Sequence, residues 1–375
     1  MQIPPYVLSG ILALVLTYAI AYEMRGLSER VGAMTPPGGR HIHTQPMPRL
    51  GGLAIFGGAL VALIVALPIV QPAALVRASN YLVLAVPVRP LPLSEVGILL
   101  GAVAITALGA LDDLHPLAGR LKFPLIYLAA GAPVWFGMTT AFVTHPVTGL
   151  PVPVGVAGKV FTVVWLGSMA IAMNSIDGVD GLASGLAAIT GITLLSAAGH
   201  RQDLVTMTLA AAVTGSALGF LRHNFNPARL FLGDSGSMLL GFLLGAAAVQ
   251  GMVKTATVLS LAVPILALAI PILDTGYAIV RRYRNGVSIF RPDRGHLHHR
   301  LLDLGFSQRQ VVVLLWLVSA TLGLGGLAVA GISRTPSVVL LAVIAAVLVT
   351  LGWRVGLFRL PKAPRPELSD PARLR

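Results

Sequence analysis

Long apolar runs are the feature that most constrains how this chain folds. A helix of about 20 apolar residues crosses the hydrocarbon core of a bilayer, and the sequence offers ten or eleven such runs. They lie near 6–24, 50–70, 94–111, 123–142, 158–174, 181–198, 204–221, 237–253, 256–280, 311–331 and 336–353. The chain is 55% hydrophobic and 11% charged, with mean hydropathy +0.83, whereas soluble domains carry about 25% charged residues. The runs are continuous rather than alternating, which argues against a membrane barrel. We predict an all-α, polytopic integral membrane protein with about 11 transmembrane helices.

Basic residues predict the orientation of these helices. With the N-terminus outside, the inside loops carry 21 of the 27 Lys and Arg residues and the outside segments carry 6. Because basic loops stay in the cytoplasm, we predict a multi-pass protein of the bacterial plasma membrane with its acidic motifs on the cytoplasmic side. Anionic lipid at that face accounts for the net charge of +13, so no nucleic-acid partner is expected.

The chain reads as one membrane domain, 1–355, followed by a Pro-rich charged tail, 356–375, which we expect to be disordered. Segments 71–93 and 142–157 read as an outside loop and an outside hairpin, both punctuated by Pro. The first apolar run lacks a basic n-region and a cleavage site, so no cleavable signal peptide is expected. The absence of cysteine excludes disulfides and Cys-ligated metals.

Five of the 14 acidic residues lie in three short motifs at the edges of apolar runs. A carboxylate beside a membrane is costly unless it has a partner or a task. Three such motifs on one side predict a shared site for a metal, a phosphate or both. The five residues are Asp112, Asp113, Asp177, Asp180 and Asp234.

The first motif is ALDDLHPLAGRLKF. Asp112 and Asp113 point about 100° apart on a helix, so one can face a site while the other caps or pairs with a neighbour. Lys122 follows, and carboxylates beside a fixed cation suit a phosphate-and-metal environment. The alternative is a polar helix end that caps the next helix.

The second motif, NSIDGVDGLASG, places Asn174, Asp177 and Asp180 at a spacing of three, which lines one face of a helix. Amide and carboxylate oxygens are ligands that Mg²⁺ accepts. The alternative is a tight turn that uses Asn, Asp and Gly for their turn preferences.

The third motif, FLGDSGSMLLG, places Asp234 in a turn that opens the next helix. Either Asp234 or Ser235 can be its N-cap, or the helix N-terminus can face a phosphate. Phe231 lies three residues earlier and can stack on a planar base. Asn224 lies ten residues before Asp234.

The loop 281–310 holds seven Arg and three His, at 296, 298 and 299. Imidazole and guanidinium groups beside carboxylates suit a pyrophosphate better than a zinc ion; a basic anchor loop is the alternative. Asp274, in the run before this loop, either pairs with a site residue or reaches towards the interface. His43 and Arg49, in the first inside loop, form a structural turn or the rim of the pocket.

Taken together, these motifs resemble the polyprenyl-phosphate N-acetylhexosamine-1-phosphate transferase family, of the glycosyltransferase 4 type. Five motifs occur in the family's order over residues 40–310: H-x-x-P-M-P-R-L-G-G, D-D-x-x-x-L-x-x-R-x-K-F, N-x-x-D-G-x-D-G-L, F-x-G-D-x-G-S and H-L-H-H-R-L. The last of them is similar to the WecA/TagO-like branch rather than the MraY branch.

The resemblance implies a reaction at the inner leaflet. A UDP-N-acetylhexosamine, most typically UDP-GlcNAc, donates sugar 1-phosphate to undecaprenyl or another polyprenyl phosphate and releases UMP. This would be the first membrane step of a cell-envelope glycan of teichoic acid, O-antigen or arabinogalactan type. The family also implies Mg²⁺, with Mn²⁺ as a substitute, and a homodimer.

Residue roles follow from the matching motifs. Metal binding falls to Asn174 and Asp234. Catalytic roles fall to Asp112 and Asp113 on the acceptor side and to Asp177 and Asp180 on the nucleotide side. Substrate binding falls to Lys122, Asn224, Phe231, Arg294, His296, His298 and His299.

Three alternatives remain at the level of sequence. One is a phospho-MurNAc-pentapeptide transferase of the MraY type. Another is a secondary transporter with proton-relaying carboxylates, which should lie near the bilayer midplane. A third is a lipid-binding scaffold without chemistry, for which the Asp residues would be dispensable.

Overall fold

The structure is a computed structural model. It describes residues 3–36, 46–69, 74–78, 81–85, 91–140, 142–144, 151–253, 258–288 and 295–331. The helices are α1 Pro5–Val31, α2 Gly51–Ala66, α3 Leu93–Leu114, α4 Gly119–Ala130, α5 Ala132–Trp135, α6 Gly155–Ile176, α7 Leu182–His200, α8 Leu204–Asn224, α9 Gly233–Val253, α10 Val258–Ala267, α11 Ala269–Arg284, α12 Leu297–Asp303 and α13 Gln308–Gly331.

The helical membrane architecture predicted from the apolar runs is confirmed. Among the described residues, six helices are long and apolar enough to cross a bilayer: α1, α3, α6, α7, α8 and α13. Helices also occupy the other predicted runs up to residue 331. The run at 336–353 and the tail 356–375 lie outside the described residues, so the count of eleven stays a prediction.

Two predicted runs are broken rather than continuous. The run 123–142 divides into α4 and α5, and the run 256–280 divides into α10 and α11. Pro271 has no N–H to donate to the carbonyl of Ala267, four residues earlier. That carbonyl accepts instead from Thr190 Oγ1, at 2.9 Å, and from Ser319 Oγ, at 3.5 Å. Neighbouring helices thus satisfy the backbone group that the proline releases, as a membrane interior requires.

Three two-stranded antiparallel sheets accompany the helices in the part of the chain that the structure describes. Strands β1 Met34–Thr35 and β2 Met47–Pro48 pair, as do β3 Ala74–Ala78 with β4 Tyr81–Ala85 and β5 Phe142–Thr144 with β6 Pro151–Pro153. The hairpin predicted for 142–157 is confirmed by the pairing of β5 with β6. Within the segment predicted as a loop, 71–93, strands β3 and β4 pair with each other between α2 and α3. Their β-branched and aromatic residues favour strands.

Helix α9 is the centre of the bundle. It packs against α2, α3, α6, α7 and α8, and residues along its length, such as Leu240 and Phe242, are fully buried. A helix that is apolar all round is one that its neighbours cover on every side. The N-terminus of α9, at Gly233, therefore opens at one end of the bundle among the ends of these helices, and we call this end the site end.

Gly109 sets how closely α3 approaches the start of α9. A Cβ at Gly109 would lie 2.5 Å from Ser235 N and 2.8 Å from the carbonyl carbon of Asp234. Such contacts are with backbone, which cannot turn aside as a side chain can. The two helices therefore reach their observed spacing only because residue 109 has no side chain.

The Gly109→Ala substitution should separate α3 from α9 and destabilise the protein by about 1–3 kcal/mol. Gly26→Ala is the matched control, because a Cβ at that exposed helical position meets nothing within 4 Å. Thermal unfolding in detergent should show a lower midpoint for Gly109→Ala and an unchanged or higher one for Gly26→Ala. Equal midpoints for the two variants would contradict the close approach.

Candidate active site

A buried lysine joins three helices at the site end. Lys122 Nζ lies 2.9 Å from Asp112 Oδ2 of α3 and 3.3 Å from Asn174 Oδ1 of α6, and it also contacts Asp234 Oδ2 of α9. Helix α4 supplies the lysine from its first turn. Three motifs that are far apart in sequence thus converge on one ammonium group.

Electrostatics keep this lysine charged. Burial alone would favour the neutral amine, but the carboxylates of Asp234 and Asp112 outweigh it and raise the pKa of Lys122 above its ordinary value. The cluster is therefore a cation held by hard oxygen atoms from two carboxylates and one amide.

Asp113 caps α9 rather than facing the lysine. Its carboxylate accepts hydrogen bonds from the backbone N–H of Asp234, at 2.8 Å, from the N–H of Ser235, at 3.1 Å, and from Ser235 Oγ, at 2.8 Å. Arg49 Nη2 lies 3.7 Å away. A carboxylate at a helix N-terminus satisfies unpaired N–H groups and is favoured by the helix dipole. Neither Asp234 nor Ser235 is the N-cap, because the cap comes from another helix.

Asp177 is in a less favourable environment than the other carboxylates. It lies half-buried just after α6, and burial together with the negative charges of Asp234, Asp113 and Asp180 raises its pKa well above 3.8. Arg49 opposes this only in part. A carboxyl group whose pKa is raised by neighbouring charges in a cleft is typical of a functional position.

Asp180 holds the loop between α8 and α9. Asp180 Oδ2 accepts from Asn226 Nδ2, at 3.2 Å, and from the backbone N–H of Ala228, at 3.1 Å. Asn226 also donates to Gln308 Oε1 of α13, at 2.7 Å. Asp180 therefore fixes the segment that leads to Asp234.

Asn224 makes three internal hydrogen bonds. Its Oδ1 accepts from the N–H of Gly181, at 3.0 Å, and from Ser184 Oγ, at 3.1 Å, while its Nδ2 donates to the carbonyl of Leu230, at 3.1 Å. The residue is buried, so it joins the start of α7 to the loop before α9.

Phe231 is held by backbone hydrogen bonds to Pro48 and Gly51. Its N–H donates to the carbonyl of Pro48, at 2.8 Å, and its carbonyl accepts from the N–H of Gly51, at 3.1 Å. The side chain is half-buried. These bonds link the loop before α9 to the start of α2.

The histidines of α12 lie against the second acidic motif. His298 is 1% exposed, and its Nε2 faces Gly178, where a side chain would collide with the ring. Burial and the neighbouring His299 lower the pKa of His298 to about 3, so its imidazole is neutral. The His299 ring lies 4.3 Å from that of His298, and the His296 ring stacks on the His298 ring at 5.8 Å.

Comparison with known proteins identifies the family. The model for glycosyl transferase family 4 matches residues 96–252. A Bacillus subtilis (strain 168) protein named probable undecaprenyl-phosphate N-acetylglucosaminyl 1-phosphate transferase is 33% identical over 312 residues, which are 83% of this chain and 81% of that protein. The chain belongs to glycosyl transferase family 4.

Other relatives in family 4 carry two kinds of name. A decaprenyl-phosphate N-acetylglucosaminephosphotransferase of Mycolicibacterium smegmatis is 34% identical over 367 residues, covering 92% of this chain and 87% of that protein. A phospho-N-acetylmuramoyl-pentapeptide-transferase of Enterococcus hirae is 30% identical over 207 residues, covering 55% of this chain and 60% of that protein. Similarity to the first kind therefore extends over more of the chain.

The family 4 fold gathers nearly all of the predicted site residues at one end of the bundle. Asp112, Lys122, Asn174 and Asp234 make direct contacts, and Asp113 is bonded to the backbone beside them. Asp180 and Asn224 support the adjoining loop. Arg294 and His43 lie outside the described residues.

Sequence reasoning missed two supporting residues of this candidate site. Ser237 Oγ accepts from Asn174 Nδ2, at 3.0 Å, and Asn226 links Asp180 to α13. Both lie inside stretches that the sequence marks, FLGDSGSMLLG and LRHNFNPARLF. Their partners are distant in sequence, so the motifs carry no signal of the pairing.

The donor set suits a divalent cation chemically. Asp112, Asn174 and Asp234 present hard oxygens that converge on one positive charge, which is the coordination chemistry of Mg²⁺. Over the described ranges, no group of three His, Cys, Asp or Glu side chains forms a ready-made metal cage. The charge these oxygens hold in this structure is the Lys122 ammonium.

Asp177→Asn should leave the stability of this family 4 protein unchanged or raise it. Because the folded-state pKa of Asp177 lies above 3.8, the folded protein binds a proton that the unfolded chain releases, and stability falls as pH rises above 3.8. Thermal unfolding between about pH 4 and pH 8 should show a flatter pH dependence for Asp177→Asn. The exposed Asp303→Asn is the control, and equal pH slopes in all three proteins would refute the unfavourable environment of Asp177.

Proposed function

We propose that this protein transfers N-acetylglucosamine 1-phosphate from UDP-N-acetylglucosamine to a polyprenyl phosphate at the cytoplasmic leaflet and releases UMP. The observation that carries the proposal is the convergence of Asp112, Asn174, Asp234 and Lys122 at one end of a membrane bundle. Relatives named as N-acetylglucosamine phosphate transferases support the same reaction over most of the chain.

The reaction exchanges one phosphoanhydride bond for another. An oxygen of the acceptor phosphate bonds to the sugar-bearing phosphorus of the donor, and the bond from that phosphorus to the bridging oxygen of UMP breaks. The acceptor phosphate is already ionised at neutral pH, so the main obstacle is repulsion between two anions. Positive charge at the site is therefore the principal catalytic requirement.

The residues of the cluster fit this requirement. Asp234 and Asn174 would hold Mg²⁺ with help from Asp112, and the ion would supply charge neutralisation for the diphosphate. Lys122 then has two kinds of partner within reach, the carboxylates and the phosphates of the substrate. A flexible ammonium group can exchange between them.

The remaining residues divide between reaction and support. Asp177 precedes Gly178, which lies against the His298 ring, and this supports assigning Asp177 to the donor side together with His299 and the half-buried Phe231. Asp113, Asp180 and Asn224 use their side-chain oxygens within the protein, so we assign them to holding α9 and its preceding loop.

The position of the site suits a reaction between a water-soluble donor and a lipid acceptor. The acidic residues of the cluster lie at helix ends. Asp112 is near the end of α3, and Asp234 is in the first turn of α9. A secondary transporter would require such carboxylates near the bilayer midplane. The acceptor's tail can remain in lipid while its phosphate reaches the bundle end.

Purified protein in detergent with UDP-N-acetylglucosamine, undecaprenyl phosphate and Mg²⁺ should release UMP. Asp234→Asn should reduce the rate by about two to three orders of magnitude, because it removes charge that positions the reacting phosphates. Asp303→Asn, the same chemical change at an exposed position, should retain full activity.

A comparison of donors tests which sugar the protein transfers. A panel of UDP-N-acetylhexosamines and UDP-N-acetylmuramoyl-pentapeptide should give the fastest UMP release with UDP-N-acetylglucosamine. Turnover of only the pentapeptide donor would replace the proposed substrate, and no turnover with any donor would refute the proposed reaction.

Removal of divalent metal should abolish UMP release reversibly. After treatment with EDTA, Mg²⁺ or Mn²⁺ should restore the rate, since both accept oxygen ligands in octahedral geometry. Titration of Mn²⁺ followed by electron paramagnetic resonance should show bound ion in the wild type and much weaker binding in Asp234→Asn. Full activity in EDTA, or equal Mn²⁺ binding by the two proteins, would contradict the metal assignment.

A further inference from the structure

Helix α11 holds the segment 295–303, which contains the three histidines. Arg281 Nη1 donates to the carbonyl of Gly295, at 2.8 Å. The guanidinium groups of Arg281 and Arg300 lie over the Tyr277 ring, at 5.3 and 5.1 Å from its centroid. Asp274 makes two further bonds to the segment, so α11 attaches it at several points along its length.

The position of Asp274 makes its contacts unusual for a membrane protein. It lies ten residues before the end of α11 at Arg284, which is about 15 Å along the helix axis. It is buried, and so is its partner His296. A carboxylate buried in a membrane bundle is costly and is typically retained for function. The sequence left open whether Asp274 pairs or reaches the interface, and the structure shows that it pairs.

The two oxygens of Asp274 have different partners. Oδ2 lies 2.7 Å from His296 Nδ1, and Oδ1 accepts from the backbone N–H of Leu297, at 2.7 Å. Carboxylate oxygens accept hydrogen bonds, so the contact with Oδ2 favours the tautomer of His296 that carries its proton on Nδ1. Asp274 therefore fixes both the orientation of this ring and the nitrogen that bears the proton.

The contacts that begin at Asp274 extend beyond His296. Its ring stacks on His298 with an interplanar angle of 7°, and His298 abuts Gly178 next to Asp177. The contacts run from Asp274 through His296 and His298 to the second acidic motif. Asp274 is thus connected through direct contacts to the histidines beside the second acidic motif.

We propose that Asp274 is a positioning residue for donor binding. It acts through His296 to hold the imidazole groups where they bind the diphosphate of a nucleoside diphosphate sugar. This inference rests on the proposed function and goes beyond it, because it assigns a residue outside the five motifs to recognition of one of the two substrates. Asp274 does not touch the substrate itself.

Asp274→Asn tests the proposal with almost no change in shape. Its amide oxygen can still accept from Leu297, but its NH₂ group then faces His296 Nδ1 and drives the proton to the other ring nitrogen. We expect the KM for the UDP-sugar and the Kd for UDP to rise about tenfold, while the KM for polyprenyl phosphate stays unchanged. Asp303→Asn on α12 is the matched control and should alter none of these values.

A double variant separates positioning from general loosening of the fold. If Asp274 acts through His296, then Asp274→Asn combined with His296→Gln should bind UDP no more weakly than His296→Gln alone. Additive losses, or an equal rise in both KM values, would overturn the proposal. If Asp274→Asn does not fold, His296→Gln decides the question, because an unchanged Kd for UDP in that variant overturns the proposal too.

The two proposals fail in different ways. Binding of UDP can be measured by its effect on thermal unfolding without any turnover. Wild-type protein that binds UDP but releases no UMP would refute the proposed reaction and leave the positioning test intact. Wild-type turnover with normal UDP binding by Asp274→Asn would refute the role of Asp274 and leave the reaction standing.

Discussion

The contact of Lys122 with three oxygen donors is the interaction on which the site depends. Asp112 and Asp234 come from different helices, and without a cation between them their negative charges would repel at short range in a poorly hydrated environment. Asn174 adds an uncharged oxygen from a third helix. The ends of α3, α6 and α9 can converge because α4 places a positive charge at the point where they meet.

Carboxylates that look alike in sequence therefore have different tasks. Asp113 and Asp180 have their oxygens occupied by backbone N–H groups, and they fix the start of α9 and the loop before it. Asp177 lies near the negative charges of Asp234, Asp113 and Asp180, which raise its pKa. Asp113 and Asp180 stabilise the start of α9 and the loop before it. Asp177 places an ionisable group near other carboxylates, which lowers the stability of the fold. Such a cost is tolerated where it serves reaction or binding.

The architecture was predictable from sequence because a bilayer imposes a simple rule. Runs of about 20 apolar residues that cross a bilayer must be helical, so the helices appear where the runs are. The side of the membrane on which the helix ends lie stays a prediction from the loop charges. The adjacent Asp112 and Asp113 were predicted to divide between a site and a cap, and the structure has that division. The break between α10 and α11 was not predictable, since it depends on whether Thr190 and Ser319 lie near enough to donate to the carbonyl of Ala267 that Pro271 leaves unpaired.

Residue roles that depend on partners distant in sequence could not be predicted. Asn224 looks like a ligand for a nucleotide by its position in a motif, yet its amide bonds to Gly181, Ser184 and Leu230 inside the protein. A motif records which residue types a site needs, but only the folded chain shows which of them face the substrate. Asp274 is the converse case, because it belongs to none of the motifs and yet contacts one of them.

Rigidity of the helix ends explains why so few charges suffice for a membrane site. Several polar groups at the site end are fixed by a bond to another element, as Asn174 is by Ser237 and His296 by Asp274. Groups held in this way need no reorganisation when charge moves between phosphates, and this is the main source of electrostatic catalysis. A bilayer penalises every additional ionised side chain. Fixing a small number of them from neighbouring helices therefore meets the demands of the reaction and of the membrane together.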